Sequence, residues 1–175
     1  MLTKIKTASL RGVDGYPVTV ETDVHRGLPG FQIVGLADTT IKEAFSRIRP
    51  AILNSGYQFP REKVTVNLSP AGKPKEGSHF DLPIALGILM LGMENGMQLQ
   101  DTAFFGELSL DGKINPIRGA LPLALCARKS GAKHIVLPLA NCEEAAVLGD
   151  VDIIPVSDLM QAVRCLENPQ ERSPY

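Results

Sequence analysis

The loop from Lys73 to Asp81 carries the residue types of a nucleophilic site. Ser78 and His79 are neighbours in it, and Lys73 and Lys75 are the nearest basic side chains. A serine becomes a nucleophile when a base within hydrogen-bond reach takes its proton and a third group orients that base. Adjacent side chains at the start of a helix point apart, so Ser78 and His79 do not predict such a pair. Ser78 with Lys73 or Lys75 is the local alternative.

The same loop could instead bind an anion or a protein partner. It leads into a strongly apolar segment with the pattern of a helix, and Gly77 would lie at the mouth of that helix beside Lys73 and Lys75. Backbone N–H groups at a helix start bind anions because they lack intrahelical partners and lie at the positive end of the dipole. A purely structural role stays open, with solvated lysines, a turn at Gly77 and Asp81 placed to favour the helix dipole.

The sequence offers no metal or nucleotide motif. Its histidines and cysteines are far apart and form no HxxxH, HxH or CxxC pair; they are His25, His79, His134, Cys126, Cys142 and Cys165. No segment fits a Walker A loop, and no GxGxxG lies between a strand and a helix. We therefore expect no metal and no cofactor in this chain, and no ATP hydrolysis by the chain alone.

Basic residues are concentrated in the first third of the chain. They are Arg26, Lys42, Arg47, Arg49, Arg61 and Lys63. Because Glu43 and Glu62 are interspersed among them, the pattern fits a solvated face of mixed charge. It also fits a patch that meets nucleic acid or an acidic neighbour. Arg118 lies where a loop meets a helix and would suit an inter-subunit contact.

The elements that must position these residues follow from hydrophobic period and turn signals. Strands are predicted at residues 4–10, 16–24, 31–35, 63–68, 134–137 and 151–155, with a hairpin of residues 104–110 and 113–117 around Asp111-Gly112. Helices are predicted from Asp38 to Gly56, with a kink or division at Pro50, and at residues 80–93, 121–130, 142–148 and 157–166. Ser157 is the predicted cap of the last helix. Strands come first and β–α alternation follows, so the predicted class is α+β or α/β.

Composition predicts one globular domain. The chain has 175 residues, of which 44% are hydrophobic and 21% charged, and its net charge is −1. That charge provides no global basic field for nucleic acid. No apolar run approaches the roughly 20 residues that span a bilayer, and the cysteines fit reduced thiols, so we expect a cytoplasmic protein. We expect residues 1–166 to form the domain and the polar residues 167–175 to form a linker.

Two stretches together resemble the proteolytic domain of Lon proteases. The first is the loop Pro74-Lys75-Glu76-Gly77 before an apolar helix, and the second is the Gly106-Glu107 strand followed by a turn and another helix. In that family the loop carries a nucleophilic serine and the second helix a lysine base. The resemblance places His79 at the serine position and Leu123 at the lysine position. It therefore implies a family likeness without the Ser–Lys dyad.

Motifs in the first third of the chain make the resemblance more specific. The run Gly30-Phe-Gln-Ile-Val-Gly-Leu-Ala-Asp38, the run Val66-Asn-Leu-Ser-Pro-Ala71 and the run Phe80-Asp-Leu-Pro-Ile-Ala85 are similar to the N-terminal domain of magnesium-chelatase-like AAA+ ATPases. Within that family they resemble the ComM/YifB group, over about residues 3–166. Ala37 departs from the pattern, since a proline is expected there.

This resemblance implies a fold shared with Lon proteolytic domains and a ribosomal protein domain, with a mixed sheet and an unusual left-handed βαβ crossover. It implies an AAA+ motor domain beyond this chain that binds ATP and Mg²⁺, forms a hexamer and drives DNA branch migration in natural transformation. This domain would then be a non-enzymatic scaffold that self-associates and contacts DNA or a partner, for which the candidates are Arg47, Arg49, Lys73, Lys75 and Arg118. The alternatives are a module for a small anion or a protein and, more remotely, a rearranged serine peptidase.

Overall fold

The chain folds around one large sheet and one small hairpin in a computed structural model that describes residues 1–93 and 99–175. The large sheet has seven strands: β1 (Leu2–Arg11), β2 (Asp14–His25), β3 (Gly30–Val34), β4 (Lys63–Ser69), β5 (Thr102–Phe104), β8 (His134–Pro138) and β9 (Asp152–Val156). Their order is β3-β4-β2-β1-β5-β8-β9. β2 runs antiparallel to both of its neighbours and every other pairing is parallel, so the sheet is mixed and mostly parallel.

Helices cover the sheet. They are α1 (Thr39–Lys42), α2 (Ala44–Asn54), α3 (Asp81–Met90), α4 (Ala120–Lys129), α5 (Cys142–Ala145) and α6 (Leu159–Glu167). One face packs against α2, α3 and α6 through residues such as Ile5 and Val136. The other packs against α4 and α5 through residues such as Ala8 and Ile135. α3 is buried on all sides because it lies between the sheet and neighbouring helices, as its uniformly apolar sequence predicts.

The crossovers differ in hand. From β3 through α2 to β4, and from β5 through α4 to β8, the chain moves in the same direction along the sheet between parallel strands. α2 and α4 lie on opposite faces, so the two crossovers have opposite hands. The connection from β8 through α5 to β9 shares its face with α4. One of the first two crossovers is therefore left-handed, an exception to the usual right-handed rule of the kind that the family resemblance implies.

Two predictions about the helices were wrong. The first helix divides at Glu43 and runs uninterrupted through Pro50. Proline removes the donor to the carbonyl group of Ser46, and Ser46 is exposed, where water can solvate that group. The last helix is capped by Asp158, whose carboxylate accepts from the Gln161 N–H at 2.8 Å, and Ser157 precedes the cap.

The predicted hairpin is also shorter than expected. Phe104 belongs to β5 of the large sheet, and the hairpin is reduced to β6 (Glu107–Leu108) and β7 (Ile114–Asn115). Two backbone groups of the hairpin form hydrogen bonds with the segment around the start of α6. The Ile114 N–H donates to the Ser157 carbonyl, and the Gly112 carbonyl accepts from the Leu159 N–H. The start of α6 thus takes the place of the longer antiparallel ladder.

The tail predicted as a linker lies against the domain. The Arg172 guanidinium donates to the Cys165 carbonyl at 2.9 Å and to the Thr102 hydroxyl at 3.0 Å. The Tyr175 N–H donates to the Ile153 carbonyl of β9 at 2.7 Å. Across residues 1–93 and 99–175, no helix has the length and apolar character needed to cross a membrane.

Gly35 is the tightest point of the β3–β4 pair, and its replacement tests that packing. Its φ is +106°, and a Cβ there would lie 2.4 Å from the Leu68 carbonyl oxygen. We expect Gly35→Ala to lower the free energy of unfolding by more than about 2 kcal/mol, because it adds backbone strain to a clash with main-chain atoms. Gly72→Ala is the control, since a Cβ there has nothing within 4 Å. Equal denaturant midpoints for the two variants would contradict this packing.

Candidate functional site

A cleft of about 530 Å³ lies at the N-terminal end of α3, where the sequence predicts the functional loop. The 3-10 turn Ser78–Phe80 leads into α3 and forms its floor. Elements distant in sequence form the walls. We call this cleft the helix-mouth cleft. The polar side chains that line it are those of Thr40, Glu76, Ser78, His79, Glu107 and Arg118.

Ser78 faces an acid in this cleft. Its hydroxyl donates to the Glu107 carboxylate in a short hydrogen bond. The other oxygen of that carboxylate accepts from the Asn115 amide at 3.1 Å. A carboxylate that already accepts two hydrogen bonds holds the serine proton in place, whereas a nucleophilic serine needs a base that removes it. Leu123, at the position of the family's lysine base, is fully buried in the core between α4 and the sheet.

The two lysines of the loop are turned away from Ser78. Lys75 is 1% exposed, and its ammonium donates to the Gly35 carbonyl at 2.8 Å and, in a shorter bond, to the Pro70 carbonyl. Burial lowers the pKa of Lys75. Lys73 lies over the Tyr16 ring, with 5.2 Å between Nζ and the ring centroid. The contacts of both lysines therefore differ from the Ser–Lys pairing considered for the sequence.

His79 is buried and neutral. Its Nε2 lies 2.8 Å from the Ala8 carbonyl, which can only accept, so Nε2 carries the proton and Nδ1 is an acceptor beside Gly77. The ring packs against Phe80 and Phe105 at centroid distances of 4.4 and 6.1 Å. Burial lowers the pKa of His79 to about 4, although the Ala8 hydrogen bond opposes this shift. This imidazole is a weak base and serves as packing material at the cleft floor.

The predicted anion position is filled by a carboxylate of the chain itself. Asp38 accepts the Gly77 N–H through Oδ2 at 3.2 Å and the Ile41 N–H through Oδ1 at 2.8 Å. The backbone of the same residue also bonds Lys75, since the Asp38 N–H donates to the Lys75 carbonyl at 3.0 Å. The sequence placed Asp38 at the start of a predicted helix but did not reveal this contact with the loop. With Lys75 buried, the loop presents Lys73 alone of its two predicted anion ligands at the surface.

An ion pair between a half-buried guanidinium and a buried carboxylate contacts the wall of the cleft. Arg47 donates to both oxygens of Asp81 at 2.7 and 2.9 Å, and its Nη2 also donates to the Thr40 carbonyl at 2.9 Å. Asp81 further accepts the Leu108 N–H at 3.1 Å. Burial raises the pKa of Asp81 to about 6, against the opposing effect of Arg47, and the Asp81 contact raises the pKa of Arg47. The pair joins α1, α2, α3 and β6, so Arg47 is an internal support and not the free surface cation that the sequence predicted.

The five predicted contact residues do not form one patch. Arg49, Lys73 and Arg118 are exposed, while Lys75 and Arg47 are engaged inside the domain. Arg118 lines the helix-mouth cleft, and Arg49 lines a different groove beside β3. Alternation and charge in the sequence could not separate the free cations from the engaged ones, because their partners Asp81, Gly35 and Pro70 are set by the tertiary fold. Over residues 1–93 and 99–175, no group of three or more His, Cys, Asp or Glu side chains is placed to hold a metal ion.

The buried imidazole predicts a pH-dependent stability. The pKa of His79 is about 4 when folded, whereas an unperturbed histidine titrates near 6.5, so the unfolded chain binds more protons between these values. Stability from this group is therefore fully present above pH 6.5 and is lost as the pH falls toward 4. Between pH 6.5 and 5 we expect this group to lower the free energy of unfolding by about 2 kcal/mol. The His79→Gln variant should lack this pH-dependent loss, because the glutamine amide stays neutral. Parallel stability curves for the two proteins, measured by urea unfolding, would contradict it.

The Arg47–Asp81 pair predicts a second pH effect. We expect Arg47→Ala to lower the free energy of unfolding by about 3 kcal/mol at pH 7, because it leaves a buried carboxylate uncompensated. The deficit should shrink as the pH falls toward 5, since Asp81 without its guanidinium takes up a proton more readily in the folded state than in the unfolded state. Arg49→Ala, two residues along the same helix and exposed, should change stability by less than about 0.5 kcal/mol. A stability difference between the wild type and Arg47→Ala that does not change with pH would contradict this prediction.

Known proteins resemble this chain over most of its length. It is 42% identical over 163 residues to the uncharacterized protein YifB of Escherichia coli, covering 93% of this chain and 32% of that protein. It is 38% identical over 164 residues to the competence protein ComM of Haemophilus influenzae, again covering 93% and 32%. Lon protease 2 of Syntrophobacter fumaroxidans is 31% identical over 145 residues, covering 78% of this chain and 18% of the protease, in accord with a Lon-like fold.

The chain spans about a third of the length of the YifB and ComM relatives. The sequence model of the family described as subunit ChlI of Mg-chelatase matches residues 20–141. That match includes the helix-mouth cleft and the buried ion pair, and it covers well over half of the residues. The chain therefore belongs to the ChlI family of magnesium-chelatase-like proteins, with YifB and ComM among its relatives.

Proposed function

We propose that this domain is the non-proteolytic scaffold and interaction domain of a ComM-like AAA+ ATPase. The observation that carries the proposal is the near-complete match to a competence protein of which this chain spans about a third. The remaining two thirds of such a protein would supply the motor, with ATP and Mg²⁺ bound there. The motor would assemble as a hexamer and drive DNA branch migration during natural transformation, in the cytoplasm.

The geometry of the helix-mouth cleft supports a role without proteolysis. Ser78 is paired with Glu107, the family's serine position holds a neutral buried histidine, and the position of its lysine base holds Leu123 in the core. None of these contacts activates a hydroxyl. The small-anion alternative loses support for a similar reason, because Asp38 accepts the Gly77 N–H and Lys75 points inward.

Three exposed cations remain as contacts to DNA or to a neighbouring subunit, namely Arg49, Lys73 and Arg118. They lie on different elements, so they would contact an extended ligand or neighbouring subunits at separate points. Phosphate contacts of this kind give an affinity that falls steeply with salt, because binding releases counterions.

Light scattering of this chain across protein concentration, with and without a branched DNA, tests the proposal. We expect a mass above the 18.9 kDa of one chain as concentration rises, and a DNA-bound species that dissociates with added salt. Charge reversal at Arg49, Lys73 and Arg118 should weaken the DNA-bound species, whereas reversal at exposed Lys129 serves as the matched control. A monomer at all concentrations, indifferent to DNA, would contradict the scaffold role, and cleavage of a fluorogenic peptide would contradict its non-proteolytic nature.

A further inference from the structure

The two edge strands of the large sheet, β3 and β9, differ in how far other parts of the chain cover them. The β9 edge is partly covered, since the Tyr175 N–H donates to the Ile153 carbonyl and Arg172 holds the tail nearby. The β3 edge pairs with β4 on one side, and among residues 1–93 and 99–175 no strand pairs with its other side. An edge strand of this kind presents a row of backbone donors and acceptors to a further strand.

The β3 edge also lacks the usual protection. Proteins blunt exposed edges with charged residues, prolines or bulges, but residues 28–37 contain no charge and their single proline precedes β3. Large apolar side chains are exposed in this stretch, with exposed fractions of 89% for Leu28, 38% for Val34 and 56% for Leu36. Burial of such side chains by an added strand would be favourable.

An aromatic groove of about 760 Å³ runs beside this edge. Its half-buried rings are Phe31, Phe45, Tyr57 and Phe59. Phe31 and Phe45 stack at a centroid distance of 4.6 Å, and Phe59 meets Phe45 edge-on at 5.8 Å. The packed rings form an apolar wall against which a side chain can pack.

The rim of the groove is basic. Arg49 and Arg61 are exposed on it, together with Glu62 as the one acid of the lining. Within residues 1–93 and 99–175, neither guanidinium forms an ion pair with a carboxylate. Two arginines beside an apolar wall favour a ligand that combines apolar and acidic groups, because forked guanidinium donors match carboxylates.

We propose that the β3 edge and the aromatic groove form a docking site for an extended acidic peptide segment of a partner protein. The segment adds to β3 as an eighth strand, packs an apolar side chain against the rings and places a carboxylate against Arg49 or Arg61. A second copy of β3 fits less well, since residues 28–37 offer no carboxylate to those arginines. Single-stranded nucleic acid would stack on the rings but has no backbone groups that continue a sheet. This site goes beyond the proposed scaffold and DNA role and does not rest on it.

Fluorescence anisotropy with labelled peptides tests the site. The probes are a panel of nine-residue peptides that alternate Val, Phe or Leu with polar residues and carry glutamate at both ends. One matched panel replaces glutamate by lysine, and another carries proline at the centre. We expect the acidic panel to include binders whose affinity drops at least about tenfold in both control panels, which corresponds to one lost charged contact or a lost ladder.

Variants distinguish this docking from other uses of the surface. Arg49→Glu and Val34→Glu should each weaken the acidic peptides at least about tenfold, the first by replacing an attractive guanidinium and the second by placing a like charge on the strand edge. Arg118→Glu, in the helix-mouth cleft, is the matched control and should leave binding unchanged. Val34→Glu keeps Arg49, Lys73 and Arg118, so salt-sensitive DNA binding should persist in it, and failure of the docking site and failure of the DNA role give different results. Thermal unfolding verifies that each variant is folded.

Three outcomes would overturn the inference. One is the absence of binding by every acidic peptide, or equal binding by the lysine panel. Another is binding of an oligothymidine probe, sensitive to Arg49→Glu, in place of the peptides. The last is self-association of the chain that Val34→Glu abolishes while the peptides do not bind, which would assign the edge to a second copy.

Discussion

The bidentate contact between Arg47 and Asp81 is the constraint on which the helix-mouth cleft depends. A fully buried carboxylate is tolerated in the apolar surroundings of α3 because two guanidinium donors and the Leu108 N–H satisfy it. The same guanidinium binds the Thr40 carbonyl and Asp81 binds the Leu108 N–H, so the ion pair as a whole links α1, α2, α3 and the small hairpin. The walls of the cleft are therefore positioned by an interaction that lies outside it.

The polar groups at the helix-mouth cleft hold one another in place. Each group that would act in an acyl transfer is engaged in holding the loop. Asp38 accepts the Gly77 N–H, Glu107 accepts from Ser78, and His79 donates to the Ala8 carbonyl. Such mutual satisfaction stabilises a buried polar cluster, and it also leaves few free lone pairs or protons for chemistry.

Local patterns predicted the course of the fold well. The period-2 strands, the interior position of α3 and the β–α alternation of the second half follow directly from the spacing of apolar residues, and each is confirmed. Long-range partners account for what could not be predicted. The hairpin is short because its outer backbone groups form hydrogen bonds with the start of α6. Arg47 is engaged by Asp81, and Lys75 is engaged by the carbonyl groups of residues 35 and 70. The aromatic groove left no sequence signal because its rings come from a strand, a helix and a loop.

Lys75 has a consequence for how the loop responds to its surroundings. Carbonyl groups of residues 35 and 70 that converge on one point repel each other, and in many proteins a dissolved metal ion resolves such a conflict. Here the ammonium is attached to the chain and is always present at the site, so its effective concentration does not vary with the medium. Because the contact is buried, mobile salt screens it weakly. The loop thus carries its own cation, and we expect its conformation to depend only weakly on the ionic composition of the medium.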